Sequence, residues 1–161
     1  MPRIDIIEDI LAPHDTIKVK YTGKNPFSVV PPLLRTLRYV MKLSGKDVRE
    51  TDIRWDITSD PREFYGMWLG KKKNDRWTNT FIRVIAQGAQ SSTDKNGWIE
   101  IQLKGYIETI YEYSTFIQKS FWWFYNYMFY YKQRRMYFER AKDDIMILKE
   151  RFQRQLGIAP E

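Results

Sequence analysis

The sequence predicts an α+β fold in which a curved antiparallel sheet of about five strands packs on a long C-terminal helix, with a shorter helix after the first strand. Two patterns carry this prediction. Several segments alternate apolar and polar residues, which is typical of half-buried strands. One stretch, 114–156, contains neither proline nor glycine and could form a single helix of 43 residues.

The first fifteen residues contain four acidic side chains and one basic side chain, and we predict that they form an N-terminal segment preceding one domain over 16–161. Ile7, Ile10 and Leu11 have the spacing of a short helical turn that ends at Pro13. His14, the sole histidine, is expected in a solvated loop.

Five strands and one helix precede the long helix in the predicted order. The first strand covers 16–22, and the shorter helix runs from about Pro31 to a C-terminal stop at Gly45. Four consecutive antiparallel strands follow, with polar hairpin loops at 70–76 and 91–97 and a bend at Gly105; they are 52–58, 64–69, 77–89 and 98–113.

This order of strand, helix, strands and long terminal helix resembles the helix-grip proteins, the START-like or polyketide-cyclase-like superfamily. The resemblance covers 16–156 and rests on the order of the elements. It implies an apolar ligand cavity between sheet and helix. A sheet with a helix on one face, of ferredoxin-like or another α+β type, remains an alternative.

Composition excludes several kinds of site. The chain has no cysteine, so it has neither disulfides nor thiolate metal ligands, and one histidine excludes a multi-histidine metal site. We expect no cofactor. The N-terminus lacks the apolar core of a signal peptide, which indicates a cytoplasmic protein, and the longest apolar run, 121–131, is too short to span a membrane.

The run Phe121–Tyr131 is aromatic on all sides of the predicted helix, although a helix usually buries a single stripe. Three interpretations stay open. The run could be enclosed by the sheet, the first helix and a second subunit. It could form the wall of a ligand pocket. It could also contact a membrane surface, because tryptophan and tyrosine favour that interface and basic residues follow directly.

The first functional hypothesis is a noncatalytic protein that holds an apolar or lipid-like ligand between sheet and helix. The residues expected on the sheet side of this site are Trp55, Met67, Val84, Leu103 and Ile107. Those expected on the helix side are Phe121, Phe124 and Met128.

The rival hypothesis is an interaction protein that uses its aromatic-basic helix on a membrane surface or to form oligomers. Lys132, Arg134 and Arg135 are the expected anion-binding residues, since no acidic residue occurs between 114 and 138 and the net charge is +7. A homo-oligomer is expected through the second half of the helix, at Ile145, Leu148, Phe152 and Leu156. Single-stranded nucleic acid is a further candidate partner, at the lysines of 71–73 with Arg76 and Trp77.

The sequence favours a protein without catalytic activity. Asp52, Asp56, Glu100 and Glu108 are acids on predicted strands, but nothing fixes the distances between them. Arg54, Arg83 and Lys104 occupy comparable positions, so cross-strand ion pairs are the favoured interpretation.

Overall fold

Six antiparallel strands form one curved sheet in the computed structural model, which describes residues 2–12 and 16–158. The strands are β1 (Arg3–Asp9), β2 (Ile17–Lys24), β3 (Val48–Trp55), β4 (Arg62–Lys73), β5 (Thr78–Gln90) and β6 (Asn96–Glu112). The helices are α1 (Leu33–Met41), α2 (Phe116–Tyr125) and α3 (Tyr131–Gln155), and a π-turn at Asn126–Tyr130 joins α2 to α3. The predicted α+β class is confirmed, with one strand more than expected.

The long strand β6 organises the sheet, whose order is β1-β6-β5-β4-β3. Strand β5 pairs with one edge of β6, and two shorter strands share its other edge. Strand β1 lies opposite 106–112 and β2 lies opposite 96–103. The 17 residues of β6 are enough for both strands to pair end to end.

The core lies between the sheet and α3. Alternate residues of β6 have no more than 1% of their surface exposed, as the two-residue repeat of a strand with one buried face requires: Ile99, Ile101, Leu103 and Ile107. They belong to one apolar cluster with residues at spacings of three and four on α3, namely Ala141, Ile145, Leu148 and Phe152. Leu33, Leu37 and Met41 of α1 complete this cluster.

The predicted helical turn at 5–11 is wrong, because residues 3–9 form β1 of the same sheet. Ile4 is buried opposite Tyr111, whereas Ile7 is exposed, so the backbone follows the repeat of a strand. Pairing with β6 supplies backbone hydrogen bonds that an isolated short turn lacks. The expectations for Pro13 and His14 fall on residues outside the described ranges.

Several further boundaries differ from prediction. The strand expected over 52–58 is β3, which begins earlier, at Val48, and ends at Trp55. Helix α1 ends at Met41 rather than at Gly45, because Lys42 adopts a left-handed conformation with φ of 57° and its amide closes the last turn. Residues 71–73, expected in a hairpin loop, extend β4 and pair with β5. The β4–β5 turn is therefore confined to residues 74–77.

Candidate functional site

The most exposed apolar surface lies on α2, the π-turn and the first residue of α3, which we call the aromatic segment (116–131). Ten of its large side chains are between 43% and 82% exposed: Phe116, Ile117, Phe121, Trp123, Phe124, Tyr125, Tyr127, Met128, Phe129 and Tyr131. Large contiguous apolar surfaces on a protein usually mark an interaction site. The aromatic segment is therefore the candidate functional site.

One narrow stripe attaches the aromatic segment to the sheet. Trp122 and Tyr130 are buried with Ile4 of β1 in a second apolar cluster, separate from the main core. The Trp122 ring stacks on Tyr111 with the ring centres 5.0 Å apart, and Trp77 meets the Tyr130 ring edge-on at 5.0 Å. The buried face is thus filled by aromatic contacts, which leaves the rest of the helix circumference open.

The π-turn keeps this stripe in line. Trp122, Asn126, Tyr130 and Arg134 are all buried and lie four residues apart. An ordinary α-helix has 3.6 residues per turn, so four-residue steps repeated three times would drift away from the sheet by about 120°. The wider turn at Asn126–Tyr130 absorbs the additional residue and returns Tyr130 to the sheet.

A polar cluster ties the π-turn to the β4–β5 turn. The Tyr130 hydroxyl donates to Asp75 Oδ2 at 2.7 Å and lies 2.6 Å from Thr78 Oγ1. Tyr137 donates to the same carboxylate oxygen at 3.0 Å, while Asp75 Oδ1 accepts from the backbone amides of Trp77 and Thr78. Burial raises the pKa of the Tyr130 hydroxyl far above its usual value, and the nearby Asp75 carboxylate raises it further. Tyr130 therefore stays protonated and serves as a structural donor.

The three predicted anion-binding residues have different environments. Arg134 is 5% exposed, and its guanidinium donates to Asn126 Oδ1 at 3.2 Å and pairs with Glu8 at 2.9 Å. This arginine is thus committed to joining α3 to β1. Lys132 is exposed, and Arg135 forms an exposed pair with Glu139 at 3.2 Å. Of the three, Lys132 and Arg135 can reach an external anion.

The structure does not bring the predicted sheet and helix residues of the ligand site together. Val84, Leu103 and Ile107 are fully buried in the main core, where their helical partners come from α3. The helix-side residues are exposed to solvent: Phe121, Phe124 and Met128.

The other two sheet residues of the predicted ligand site lie apart from its centre. Met67 lies opposite Ile85 of β5 and next to Trp68, which is buried in the main core. Because neighbouring strand residues point to opposite sides of a sheet, Met67 faces away from that core. Trp55 lies at the end of β3, where its ring contacts Phe27 with the ring centres 4.2 Å apart. Binding of a ligand by these residues stays a prediction.

The interface between sheet and α3 is tightly filled. A methyl group placed on Gly105 of β6 would lie 2.8 Å from the Ile145 side chain and 3.0 Å from that of Ile10. The main grooves at the surface of the described residues have volumes of about 300 to 670 Å³, and these are lined by residues other than Val84, Leu103 and Ile107. The packing of these residues supports a filled core.

The residues proposed for the oligomer contact also lie inside the molecule. They are at most 6% exposed and belong to the main core of their own chain: Ile145, Leu148, Phe152 and Leu156. A second copy could therefore contact this chain only through other residues. Self-association itself stays a prediction.

The predicted acids form no common centre. Asp52 pairs with Arg54 on the same strand at 3.1 Å, and Glu100 pairs with Lys18 of β2 at 3.6 Å. Asp56 lies beyond β3, where hydrogen bonds from Thr58 lower its pKa. Within the described ranges, no group of three His, Asp or Glu residues is placed to hold a metal ion.

The basic residues considered for nucleic-acid binding lie along β4 and its turn. The Lys71 ammonium sits over the Phe81 ring at 5.8 Å, and the Arg76 guanidinium covers the Trp77 ring at 4.3 Å. Arg76 thus covers one face of the Trp77 ring on which a base could otherwise stack. Nucleic-acid binding stays a prediction.

Sequence reasoning missed one cluster of charge. Arg35, Arg38, Lys42 and Arg151 surround a groove between α1 and α3. These residues come from distant parts of the chain, so no local motif unites them. The sequence does contain one indication of this basic cluster, since residues 16–46 include seven basic side chains and no acidic one.

Comparisons with known proteins name no family. Neither a protein-family model nor a curated protein matches the chain. Similar solved structures include the protein of unknown function SA2116 from Staphylococcus aureus, at 8% identity over 89% of this chain and 94% of that one, with a TM-score of 0.27. A putative uncharacterized protein from Rhizobium leguminosarum is 9% identical over 94% and 99% of the two chains, with a TM-score of 0.22. Ara h 8.0201 is 7% identical over 81% and 97%, with a TM-score of 0.20. Likenesses at these TM-scores carry no argument about function.

Proposed function

We propose that this chain is an interaction protein whose aromatic segment docks on an anionic membrane surface. The observation that carries the proposal is the exposure of ten large apolar and aromatic side chains on one helix, beside a core that is otherwise filled. Water contact with so much apolar surface is unfavourable, and insertion into the headgroup region of a bilayer would remove it.

The chemistry of the segment suits that region. Tyrosine and tryptophan have an apolar ring and a polar tip, and they accumulate where hydrocarbon meets water. The exposed set combines Trp123 and the tyrosines 125, 127 and 131 with purely apolar side chains such as Phe121 and Phe124. The rings can enter the acyl boundary while the hydroxyl groups remain hydrated.

The charge around the segment has the sign that anionic lipids require. Lys132 and Arg135 are exposed, Lys119 is half-buried beside Tyr113, and no acidic residue occurs between 114 and 138. Each basic residue near a surface of anionic lipids contributes about 1 kcal/mol. No helix of the described chain is long and apolar enough to cross a bilayer, so the proposed contact lies at the surface.

The distribution of the exposed side chains favours a bilayer over a second copy of the chain. A partner helix covers one stripe, whereas here only the stripe through Trp122, Asn126 and Tyr130 is buried and exposed rings flank it on several sides. A fluid headgroup region can receive side chains from several directions.

Ligand binding between sheet and helix, which a resemblance to helix-grip proteins implies, is the less favoured proposal. The Gly105–Ile145 contact leaves little room there. Without movement of α3, an apolar probe would have no space beside Leu103 and Ile107.

Vesicle co-sedimentation tests the proposal. We expect binding to phosphatidylglycerol vesicles that weakens with salt, and little binding to phosphatidylcholine vesicles. The double variant Phe121→Ser/Phe124→Ser should weaken binding by about tenfold or more, because two exposed rings no longer enter the interface. Ile7→Ser/Ile57→Ser removes two exposed apolar side chains elsewhere and should bind like the wild type.

A charge variant tests the electrostatic part. Lys132→Glu/Arg135→Glu should reduce binding to anionic vesicles, and it spares the buried Arg134. Wild-type binding by the Phe121/Phe124 variant, or equal losses in that variant and its control, would contradict the proposal. If light scattering finds that the wild type is a dimer and that Phe121→Ser/Phe124→Ser is a monomer, a second copy of the chain rather than a membrane covers the aromatic segment.

A further inference from the structure

A second candidate site lies in the groove between α1 and α3, at the other end of the long helix from the aromatic segment. The groove has a volume of about 580 Å³, and its apolar surface includes Val40 and Leu43 from the α1 side and Ile147 from α3. Ligand pockets commonly have volumes of about 300 to 1,000 Å³. The groove is therefore large enough for a small molecule with an apolar part.

Cations surround this apolar surface. Four exposed basic side chains line the groove, and the lining contains no carboxylate: Arg35, Arg38, Lys42 and Arg151. None of the four takes part in an ion pair among the described residues. Asp144 lies near Lys42 and Lys72 but outside the lining. The lining thus has a net positive charge beside its apolar surface.

Several contacts hold the groove in shape. Arg38 Nε donates to the Leu43 carbonyl at 3.1 Å, just beyond the C-terminus of α1. The Arg151 guanidinium lies over the Tyr39 ring at 4.7 Å. Gln155 of α3 donates to Thr36 Oγ1 of α1 at 3.2 Å and so joins the two helices. Arg38 and Arg151 are therefore held by contacts within the chain, which lowers the entropic cost of binding a ligand.

From this arrangement we infer that the groove binds a single-chain anionic amphiphile, with its carboxylate or phosphate among the arginines and its chain along Leu43 and Ile147. Guanidinium groups match both headgroups because their paired N–H donors fit two oxygens at once. An uncharged ligand would leave the cations without partners, and a cationic one would be repelled. The inference is independent of the membrane contact proposed for the aromatic segment.

Titration calorimetry with monomeric probes tests this inference on the full chain. Dodecanoate and dodecyl phosphate, each kept below its critical micelle concentration, should bind with one ligand per chain, and comparing the two identifies the preferred headgroup. Dodecyltrimethylammonium has the same chain with a positive head and should not bind. Absence of binding by both anions, or equal binding by the cation, would overturn the inference.

Matched variants locate the site. Arg35→Gln/Arg151→Gln should raise the Kd by about tenfold or more, since charge-assisted hydrogen bonds to the headgroup are lost. Lys20→Gln/Arg49→Gln removes two exposed cations elsewhere and should leave the Kd unchanged. Equal weakening in both double variants would mean that net charge alone attracts the probe, and the assigned groove would be wrong.

A third variant separates this site from the aromatic segment. Phe121→Ser/Phe124→Ser should keep full affinity for the monomeric probe, even if it no longer binds vesicles. If this variant loses the probe instead, the amphiphile binds at the aromatic segment and the groove is not the site.

Discussion

The hydroxyl of Tyr130 offers the sharpest test of how the aromatic segment is held. Tyr130→Phe removes one hydrogen bond to the Asp75 carboxylate while keeping the ring in its aromatic contacts. Asp75 keeps its bond from Tyr137, and Thr78 keeps its contact with Thr109 at 3.0 Å, so neither group is left without a partner. The expected loss is then that of one hydrogen bond to a charged group, about 2 kcal/mol.

Thermal unfolding followed by circular dichroism measures this loss. For a chain of this length the Tm should fall by about 4 to 8 °C. Tyr127→Phe removes a hydroxyl from a side chain that is 82% exposed, and its unfolding free energy should stay within about 0.5 kcal/mol of the wild type. A Tyr130→Phe variant as stable as Tyr127→Phe would refute the structural role assigned to the Asp75 cluster.

Two further predictions concern pH and packing. The folded-state pKa of Tyr130 lies above its unfolded value of about 10, so its contribution is complete below pH 10 and is lost as pH rises from there towards the folded-state pKa. Over that range the stability of the wild type should fall more steeply with pH than that of Tyr130→Phe in urea titrations, by at most about 1.4 kcal/mol per pH unit; parallel curves would contradict this. Gly88→Ala should destabilise by about 3 kcal/mol, because its new methyl group would overlap the Trp98 carbonyl. The methyl group of Gly45→Ala would make only an ordinary van der Waals contact with the Arg38 guanidinium at 3.8 Å, so this variant should be nearly neutral. Equal unfolding midpoints for the two glycine variants would show that the β5 and β6 backbones can move apart without loss of stability, which would contradict this prediction.

The main elements of the fold could be predicted because they have strong periodic patterns. Ile99, Ile101 and Leu103 alternate with polar residues, and the structure buries all three. The long helix followed from the absence of proline and glycine between 114 and 156, and it extends over 116–155. Such patterns involve only residues that are close in the chain, so they can be recognised in a single sequence.

Strand β1 could not be found in the same way. It is a short acidic edge strand, and its stability depends on pairing with a partner about 100 residues away, as in Ile4 with Tyr111. The spacing of Ile7, Ile10 and Leu11 fits a helix by coincidence, since Ile7 is exposed. Long-range pairing overrides such weak local signals.

The side of the helix that faces the sheet also could not be predicted from the sequence. Where nearly every residue is aromatic, no apolar stripe can be distinguished from a polar face, so Phe121 and Phe124 were expected against the sheet. The structure instead turns Trp122 inward and packs α3 on the sheet centre. The basic groove was missed because Arg38 and Arg151 meet only after α1 and α3 have packed together.

The π-turn at Asn126–Tyr130 also determines which changes in length this helix can accept. Deleting one residue there would rotate everything before it by about 100° relative to α3 and take Trp122 off the sheet. A relative without the wider turn would then align with this chain only through a one-residue gap in mid-helix. The sequences of the two halves of the helix can therefore diverge independently. Substitutions in α3 are limited by packing in the core, whereas those in α2 are limited by the surface that its exposed rings contact.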